Sequence, residues 1–243
     1  MKNINVIITG ATGMIGESVL DQCLTHPNIN KVLVISRRPI GIQHPKIIEK
    51  VIEDITEISY IKNLLIDYNA CFFCIGVSSM GKDELNFTKL TYTLTMDFAT
   101  RLSEINPNMT FCYISGAGTD STEKGRIMWA RVKGKTENDL QKLPFKQVYN
   151  FRPGALIPYL KVKPTQTYQS VKYFKWLLVL LRPLFPNSII KLSDFANAMI
   201  NSVLIGFPVN TIESKNIKKL SEMIVGIEQS YSYEGCEKED DDE

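Results

Sequence analysis

A glycine-rich segment near the amino terminus constrains the fold of this chain more than any other feature. Residues 9–16 read Thr-Gly-Ala-Thr-Gly-Met-Ile-Gly and lie between an apolar run and a helical pattern. Gly10 suits a tight turn, Gly13 suits close approach of a ligand to the backbone, and Gly16 suits close packing of a helix on the preceding strand. The segment therefore predicts a strand–turn–helix unit that binds the pyrophosphate of a dinucleotide at the helix amino end. The residues expected to hold it are Gly10, Thr12, Gly13, Met14, Ile15 and Gly16.

Apolar runs and helical patterns alternate along the rest of the chain, which predicts repeated βαβ units. Strands are predicted at Ile4–Thr9, Lys31–Ser36, Ile47–Val51, Ala70–Ile75, Met109–Ser115, Phe145–Phe151 and Val209–Ile212. Helices are predicted at Met14–Thr25, Ile55–Asp67, Glu84–Ile105, Ile127–Lys142, Ser193–Leu204 and Ser214–Gln229. The predicted fold is an α/β Rossmann fold, a doubly wound parallel sheet with a small C-terminal cap of helices and loops.

The predicted organisation is a single domain over residues 1–233. Residues 1–157 form the cofactor-binding core, residues 158–233 form the cap, and residues 234–243 form an acidic disordered tail with seven acidic residues and one lysine. The apolar stretch Tyr173–Leu184 is interrupted by charges and a proline, so no membrane span is expected. No basic and aromatic run with a nucleic-acid-binding signature occurs, so no nucleic-acid partner is expected.

The numbers of histidines and cysteines limit the metal sites and the cellular compartment that are expected for this chain. The chain of 243 residues has two histidines, which argues against a histidine-rich metal site, and no metal is expected. Its five cysteines are an odd number, and Met1 is followed almost at once by the first apolar run rather than by a secretory leader, so a cytoplasmic location is predicted. Cys71 and Cys74 form a C-x-x-C pattern, but they lie inside a predicted strand, where positions three apart point to opposite faces, so a metal or redox site is not favoured there.

The residues after the second predicted strand indicate the type of dinucleotide. Where NAD-binding proteins usually place an acidic residue against the ribose 2′-hydroxyl, this chain has Ser36, Arg37 and Arg38. Because a guanidinium suits a 2′-phosphate, NADP(H) is the predicted cofactor, with Arg37 as a ligand, and NAD is less favoured. The alternative is that both arginines are solvated loop charges.

Two further positions are expected at the adenosine end. Asp54 follows the third predicted strand and either accepts a hydrogen bond from the adenine amino group or caps the next helix; the sequence does not decide between these roles. Gly76 follows the fourth predicted strand and lets the backbone pass close to the adenosine ribose.

Several segments between Met1 and about Ile157 together resemble the atypical branch of the short-chain dehydrogenase/reductase superfamily. They are Thr9–Gly16, Ile75–Gly76, Tyr113–Gly118, Val132–Glu137 and Phe151–Gly154. Within this branch the chain is similar to nucleoside-diphosphate-sugar epimerase-like proteins and to Tat-interacting-protein-type oxidoreductases. The resemblance implies a Rossmann fold, a nicotinamide cofactor and an oxidoreductase activity.

The resemblance also implies catalytic positions, one of which departs from the family pattern. Ser115 matches the serine that positions the substrate, and Lys133 matches the lysine that holds the ribose hydroxyls and lowers the pKa of a tyrosine four residues earlier. That tyrosine position is Trp129 here. An indole N–H donates a hydrogen bond but does not relay a proton as a phenol does. Trp129 either fills the core or stacks on the nicotinamide or a flat substrate.

Three functional hypotheses follow. The protein is a reductase of a small carbonyl or quinone-like compound, in which Ser115 polarises the acceptor oxygen and the proton comes from water, Lys133 or a relocated residue such as Tyr113. Alternatively, it is a catalytically silent NADP(H)-binding module that senses redox state or binds a protein partner. The third hypothesis is a scaffold with vestigial nucleotide affinity. The sequence determines neither the substrate nor the oligomeric state.

Overall fold

A seven-stranded parallel sheet forms the centre of the computed structural model, which describes residues 3–157 and 188–223. The strand order is β3-β2-β1-β4-β5-β6-β9, and all neighbours pair in parallel. The sheet strands are β1 Ile4–Thr9, β2 Ile29–Ser36, β3 Ile47–Val51, β4 Ala70–Phe73, β5 Thr110–Ile114, β6 Gln147–Arg152 and β9 Thr211–Glu213. A separate parallel pair consists of β7 Ala155–Ile157 and β8 Ile189–Lys191. The predicted Rossmann fold, with its order reversal between β1 and β4, is confirmed.

The central strands are mainly apolar because both faces of the sheet are covered. Successive side chains alternate between two cores: Val6 and Ile8 belong to one, and Ile7 between them belongs to the other. The same alternation places Cys71 in one core and packs Cys74 against the other, and both thiols are free. These two cysteines therefore lie on opposite faces, as their spacing predicts.

Helices cover the two faces in separate groups. The helices are α1 Met14–Thr25, α2 Lys62–Leu65, α3 Glu84–Thr88, α4 Leu94–Ile105, α5 Met128–Leu140, α6 Leu192–Leu204 and α7 Ser214–Ser221. Helix α6 packs against α1 and α7, and all three contribute to one core. Helices α2, α4 and α5 contribute to the other. Both cores extend to the ends of the strands, so the loops after the strands rest on a packed support.

The helices predicted over Ile55–Asp67 and Glu84–Ile105 differ from the observed elements. The prediction of a helix over Ile55–Asp67 is wrong for its first half, where turns precede a short 3-10 helix and α2. Ile55 and Ile58 are buried at a helical spacing, but the Thr56 amide donates to the Asp54 carboxylate and the Ile58 amide donates to the Thr56 carbonyl. Those local bonds take the donors that a helix needs. The predicted helix Glu84–Ile105 has the expected extent but contains a π-helical segment, Lys89–Thr93.

Several predictions fall on parts of the chain that the structure does not describe. The acidic tail, the apolar stretch Tyr173–Leu184 and most of the predicted cap lie outside the described residues. The helix predicted over Ser214–Gln229 ends earlier than expected, at Ser221, and residues 224–229 of that prediction lie outside the described residues. Within residues 3–157 and 188–223, no helix combines the length and apolar character that crossing a bilayer requires.

Candidate functional site

Two of the three glycines in the loop after β1 are required by the fold itself. Gly10 has a left-handed backbone, with φ of +68°, and a Cβ on it would lie 2.7 Å from the Cys74 carbonyl oxygen. A Cβ on Gly16 would lie 2.1 Å from the Gly10 carbonyl oxygen. Neither position has room for a side chain, because the loop, the start of α1 and the end of β4 pack against one another there.

Gly13 has a different character. It is the residue before α1, its φ of −85° is open to any residue, and a Cβ on it would approach only the Gly10 carbonyl, at 3.3 Å. Helix amino ends usually carry a serine, threonine or aspartate that bonds to the free amides, but no side chain caps α1. Thr12 is exposed, and Met14 and Ile15 are partly buried on the first helical turn. The amino end of α1 is therefore open to an external acceptor, and the residues present fit an anionic group such as a pyrophosphate.

The residues predicted to contact the adenosine part follow β2, β3 and β4, at the same edge of the sheet as the glycine loop. Arg37 is exposed and forms no ion pair with any described residue. The Asp54 carboxylate accepts hydrogen bonds from the Thr56 amide at 2.9 Å and hydroxyl at 2.8 Å, and these bonds lower the pKa of Asp54. No atom lies within 4 Å of the place where a Cβ on Gly76 would stand, so the backbone is open there.

The structure also brings together the three residues predicted to be catalytic. Ser115 follows β5, whereas Trp129 and Lys133 lie one turn apart on α5. The Lys133 ammonium donates to the Ser115 carbonyl oxygen. Burial lowers the pKa of Lys133 to about 8, and the negative charge of Glu137 counteracts part of that fall. The half-buried Trp129 ring covers Gly118, with its Cη2 atom 3.6 Å from where a Cβ on that glycine would stand.

A buried ion pair, Glu137 with Arg152, lies behind this cluster and was missed at the sequence level. Their side chains are 3% and 12% exposed, and Arg152 donates to Glu137 through Nε at 3.0 Å and through Nη2 at 2.5 Å. Arg152 also donates to Glu213 at 3.1 Å and to the Ser121 hydroxyl at 2.5 Å. Both residues belong to segments that carry the family resemblance, but the sequence assigned neither of them a role. The available signal was a charged residue, Arg152, at the end of a strand whose preceding residues are buried.

The same ion pair decides where the Ser115 side chain points. The hydroxyl of Ser115 donates to the Glu137 carboxylate and lies 3.2 Å from the Phe151 carbonyl oxygen. A hydroxyl has one proton, so in this arrangement that proton is used within the protein. Tyr113, considered above as a relocated proton donor, is 2% exposed, and burial raises its pKa well above the ordinary value. Its buried phenol does not reach a substrate.

The segment between β5 and α5, residues 115–127, is held at several points and is called here the β5 loop. The Asp120 carboxylate accepts from the amides of Thr122 at 3.0 Å and Gly125 at 2.7 Å. The loop backbone lies so close to α5 that a Cβ on Gly134 would stand 1.8 Å from the Asp120 carbonyl oxygen. This contact explains a glycine in the middle of a helix, where its conformational freedom otherwise costs about 1 kcal/mol.

Comparisons with known proteins show which proteins this chain is similar to in sequence. No protein-family model matches the chain. Protein FMP52, mitochondrial, from Candida albicans is 25% identical over 213 residues, which cover 83% of this chain and 91% of that protein. Protein HTATIP2 from Rattus norvegicus is 23% identical over 159 residues, covering 65% of this chain and 64% of that protein. The resemblance to the atypical short-chain dehydrogenases/reductases is confirmed.

Solved structures show the same fold at low sequence identity. The Bordetella bronchiseptica enzyme WbmF in complex with NAD+ superimposes with a TM-score of 0.62 and 15% identity, over 90% of this chain and 77% of that one. A UDP-N-acetylglucosamine 4-epimerase from Methanobrevibacter ruminantium gives a TM-score of 0.59 and 14% identity, over 87% and 76% of the two chains. Both likenesses establish the Rossmann architecture of this chain.

The prediction of a cytoplasmic location is contradicted by these comparisons. FMP52 of Candida albicans and the related proteins of Aspergillus oryzae and Debaryomyces hansenii are all named as mitochondrial. The prediction rested on unpaired cysteines, and an odd number of thiols indicates a reducing environment without distinguishing one reducing compartment from another.

Proposed function

We propose that this protein is an NADP(H)-dependent oxidoreductase that reduces a small carbonyl or quinone-like compound. The observation that carries the proposal is the uncapped amino end of α1, where Gly13 places no side chain over the first amides of the helix. Backbone amides and the helix dipole would hold the cofactor pyrophosphate there. The carboxyl ends of the parallel strands are where ligands bind in this fold, and the remaining proposed ligands follow those ends.

Arg37 would select NADP(H) over NAD(H). Its guanidinium is exposed, lies just past β2 and has no ion-pair partner among the described residues, so it is available to the 2′-phosphate. Asp54 would face the adenine, since one of its carboxylate oxygens accepts from Thr56 and the other has no donor among residues 3–157 and 188–223. The open backbone at Gly76 would lie along the adenosine ribose.

Lys133 would supply the proton of the reduction. The Trp129 indole has no accessible deprotonated state, Tyr113 is buried, and the Ser115 hydroxyl donates its proton to Glu137. Lys133 has a pKa of about 8, close to the value that suits a general acid at neutral pH. When bound, the cofactor supplies a hydride to the carbonyl carbon. The carbonyl oxygen then takes a proton from the Lys133 ammonium, which recovers one from water, and the products are an alcohol and NADP+.

A second candidate, NADP(H) binding without turnover, is favoured by one observation. The Ser115 hydroxyl bonds to Glu137 rather than facing open space, and Trp129 covers Gly118 where the family has its phenol. In this case the nucleotide would change the surface that meets a protein partner, and no substrate would react.

Cofactor choice is tested by replacing Arg37 and Arg38 together with alanine and measuring NADPH and NADH affinity by calorimetry. Loss of a charge-assisted contact, worth about 1.5–3 kcal/mol, should weaken NADPH binding roughly 10- to 150-fold and leave NADH binding nearly unchanged. A matched control replaces the exposed Lys215 and Lys219 on α7, which removes the same charge away from the proposed site. Equal losses for both cofactors would refute the assignment.

Turnover is tested by following NADPH absorbance with a panel of aldehydes, ketones and quinones. The reductase hypothesis expects oxidation above the uncatalysed rate, and Lys133→Met should lower that rate about 10²- to 10⁴-fold. Tight NADPH binding with no oxidation of any acceptor would support the non-catalytic candidate instead.

A further inference from the structure

Glu137 is a buried charged group to which the proposed reaction assigns no role. It lies one helical turn after Lys133 on α5 and is 2% exposed. An isolated carboxylate at that depth would be strongly disfavoured, but Arg152 neutralises it with hydrogen bonds from two nitrogens. The ion pair therefore holds the Glu137 carboxylate in a buried position one helical turn from Lys133.

The contacts of Glu137 converge on Ser115. The Glu137 carboxylate accepts from the Ser115 hydroxyl, and the Ser115 carbonyl accepts from the Lys133 ammonium. One residue of the β5 loop is thus held by two side chains of α5 that are a single turn apart. Arg152 extends the same network to the Ser121 hydroxyl farther along the loop. Without the Glu137 carboxylate, Ser115 at the start of the β5 loop would lose its hydrogen-bond acceptor, and the Lys133 amine would lose the negative charge beside it.

Glu137 also sets the charge on Lys133. Burial disfavours the ammonium, and the Glu137 carboxylate is the charge that counteracts this effect. The other titratable groups packed around the network do not replace it. Tyr113 on β5 stays neutral because burial raises its pKa, Arg152 on β6 is a cation bound to Glu137 and Glu213, and the Asp120 carboxylate is turned to Thr122 and Gly125.

We infer that Glu137, held by Arg152, is a positioning residue that orients Ser115 around the Lys133 amine and keeps that amine a cation near neutral pH. The inference rests on the proposed role of Lys133 at the cofactor. Glu137 would not touch a ligand itself: it lies behind the ligand-facing residues, where α5 contacts β6.

The test is an NMR titration of the intact protein labelled with ¹³C at the lysine ε-carbons. The Lys133 signal is assigned by its loss in Lys133→Arg, and its midpoint in the wild type is expected at about 8. Glu137→Gln keeps the shape of the side chain but removes its charge, so the midpoint should fall by about one pH unit or more. Glu213→Gln is the matched control, since it removes a carboxylate from the same arginine but away from Lys133, and it should leave the midpoint unchanged.

Glu137→Gln leaves Arg152 partly unpaired and can unfold the protein. A second variant, Glu137→Gln with Arg152→Met, removes both buried charges and should fold while showing the same fall of the Lys133 midpoint. An unchanged midpoint in the folded variants, or an equal fall in Glu213→Gln, would overturn the inference. Failure of NADPH to bind the wild type, with the expected titration intact, would instead refute the proposed function.

Discussion

Replacing Arg152 with alanine tests the buried ion pair most directly. The substitution removes the donors at 3.0 Å and 2.5 Å from Glu137, whose side chain is only 3% exposed, and leaves the carboxylate with the Ser115 hydroxyl. Removing one partner of a buried pair costs about 3–5 kcal/mol, because the other charge stays buried without compensation. Since Lys133 is nearby and positively charged, we expect the lower end of that range.

The assay is urea denaturation and thermal unfolding followed by circular dichroism. A loss of about 3 kcal/mol corresponds to a fall in Tm of roughly 6–12 °C for a domain of this size. Glu213→Ala is the control: it takes a half-exposed carboxylate from the same arginine and should cost about 1 kcal/mol or less.

The pH dependence gives a second, independent check. A buried carboxylate without a cation partner destabilises the folded state at neutral pH, and protonation in acid removes that charge. Arg152→Ala should therefore carry its full penalty at neutral pH and a smaller one at lower pH. The difference in stability between Arg152→Ala and wild type should therefore shrink from pH 7.5 to pH 5. A cost below about 1 kcal/mol that does not change with pH would refute the reasoning.

Three further substitutions test neighbouring parts of the site. Gly134→Ala would gain about 1 kcal/mol from helix propensity alone, but its Cβ would stand 1.8 Å from the Asp120 carbonyl, so urea unfolding should show a net loss of about 1–3 kcal/mol. Gly76→Ala meets nothing within 4 Å and should leave stability within about 0.5 kcal/mol while weakening NADPH binding measured by calorimetry. Trp129→Tyr restores a phenol one turn before Lys133 and should raise NADPH-dependent carbonyl reduction, whereas Trp129→Phe should not. The first expectation would be contradicted if Gly134→Ala stabilised the protein. The second would be contradicted if Gly76→Ala left NADPH affinity unchanged, and the third if the two Trp129 variants gave equal rates.

The sheet and the glycine loop were predictable because the information lies in short stretches of sequence. The predicted strands Ile4–Thr9 and Ile47–Val51 have the observed bounds. Ile4–Thr9 is covered on both faces of the sheet and is mainly apolar, whereas Ile47–Val51 is an edge strand with an exposed Glu49. The segment Ile55–Asp67 was mispredicted because its apolar spacing is compatible with a helix, while the Asp54 carboxylate and the Thr56 carbonyl accept from backbone amides that a helix needs.

The candidate site was predictable only in part. Ser115, Lys133 and Trp129 were placed by resemblance, and the structure brings them together around the start of the β5 loop. Their partners were not predictable, because Glu137 and Arg152 come from a helix and a strand whose pairing depends on how α5 packs on the sheet. The hydrogen bond that turns Ser115 inward depends on the same packing.

The sequence by itself determined the Rossmann architecture and the position of the glycine loop. Residue periodicity predicts the strands and helices, and the glycines lie within one strand–turn–helix unit. Tertiary structure alone decided how the charges are arranged. It buried Glu137 against Arg152, lowered the pKa of Lys133 to about 8 and enclosed Tyr113 in the core. These properties depend on burial and on contacts between distant segments, since desolvation and charge pairing act through space rather than along the chain.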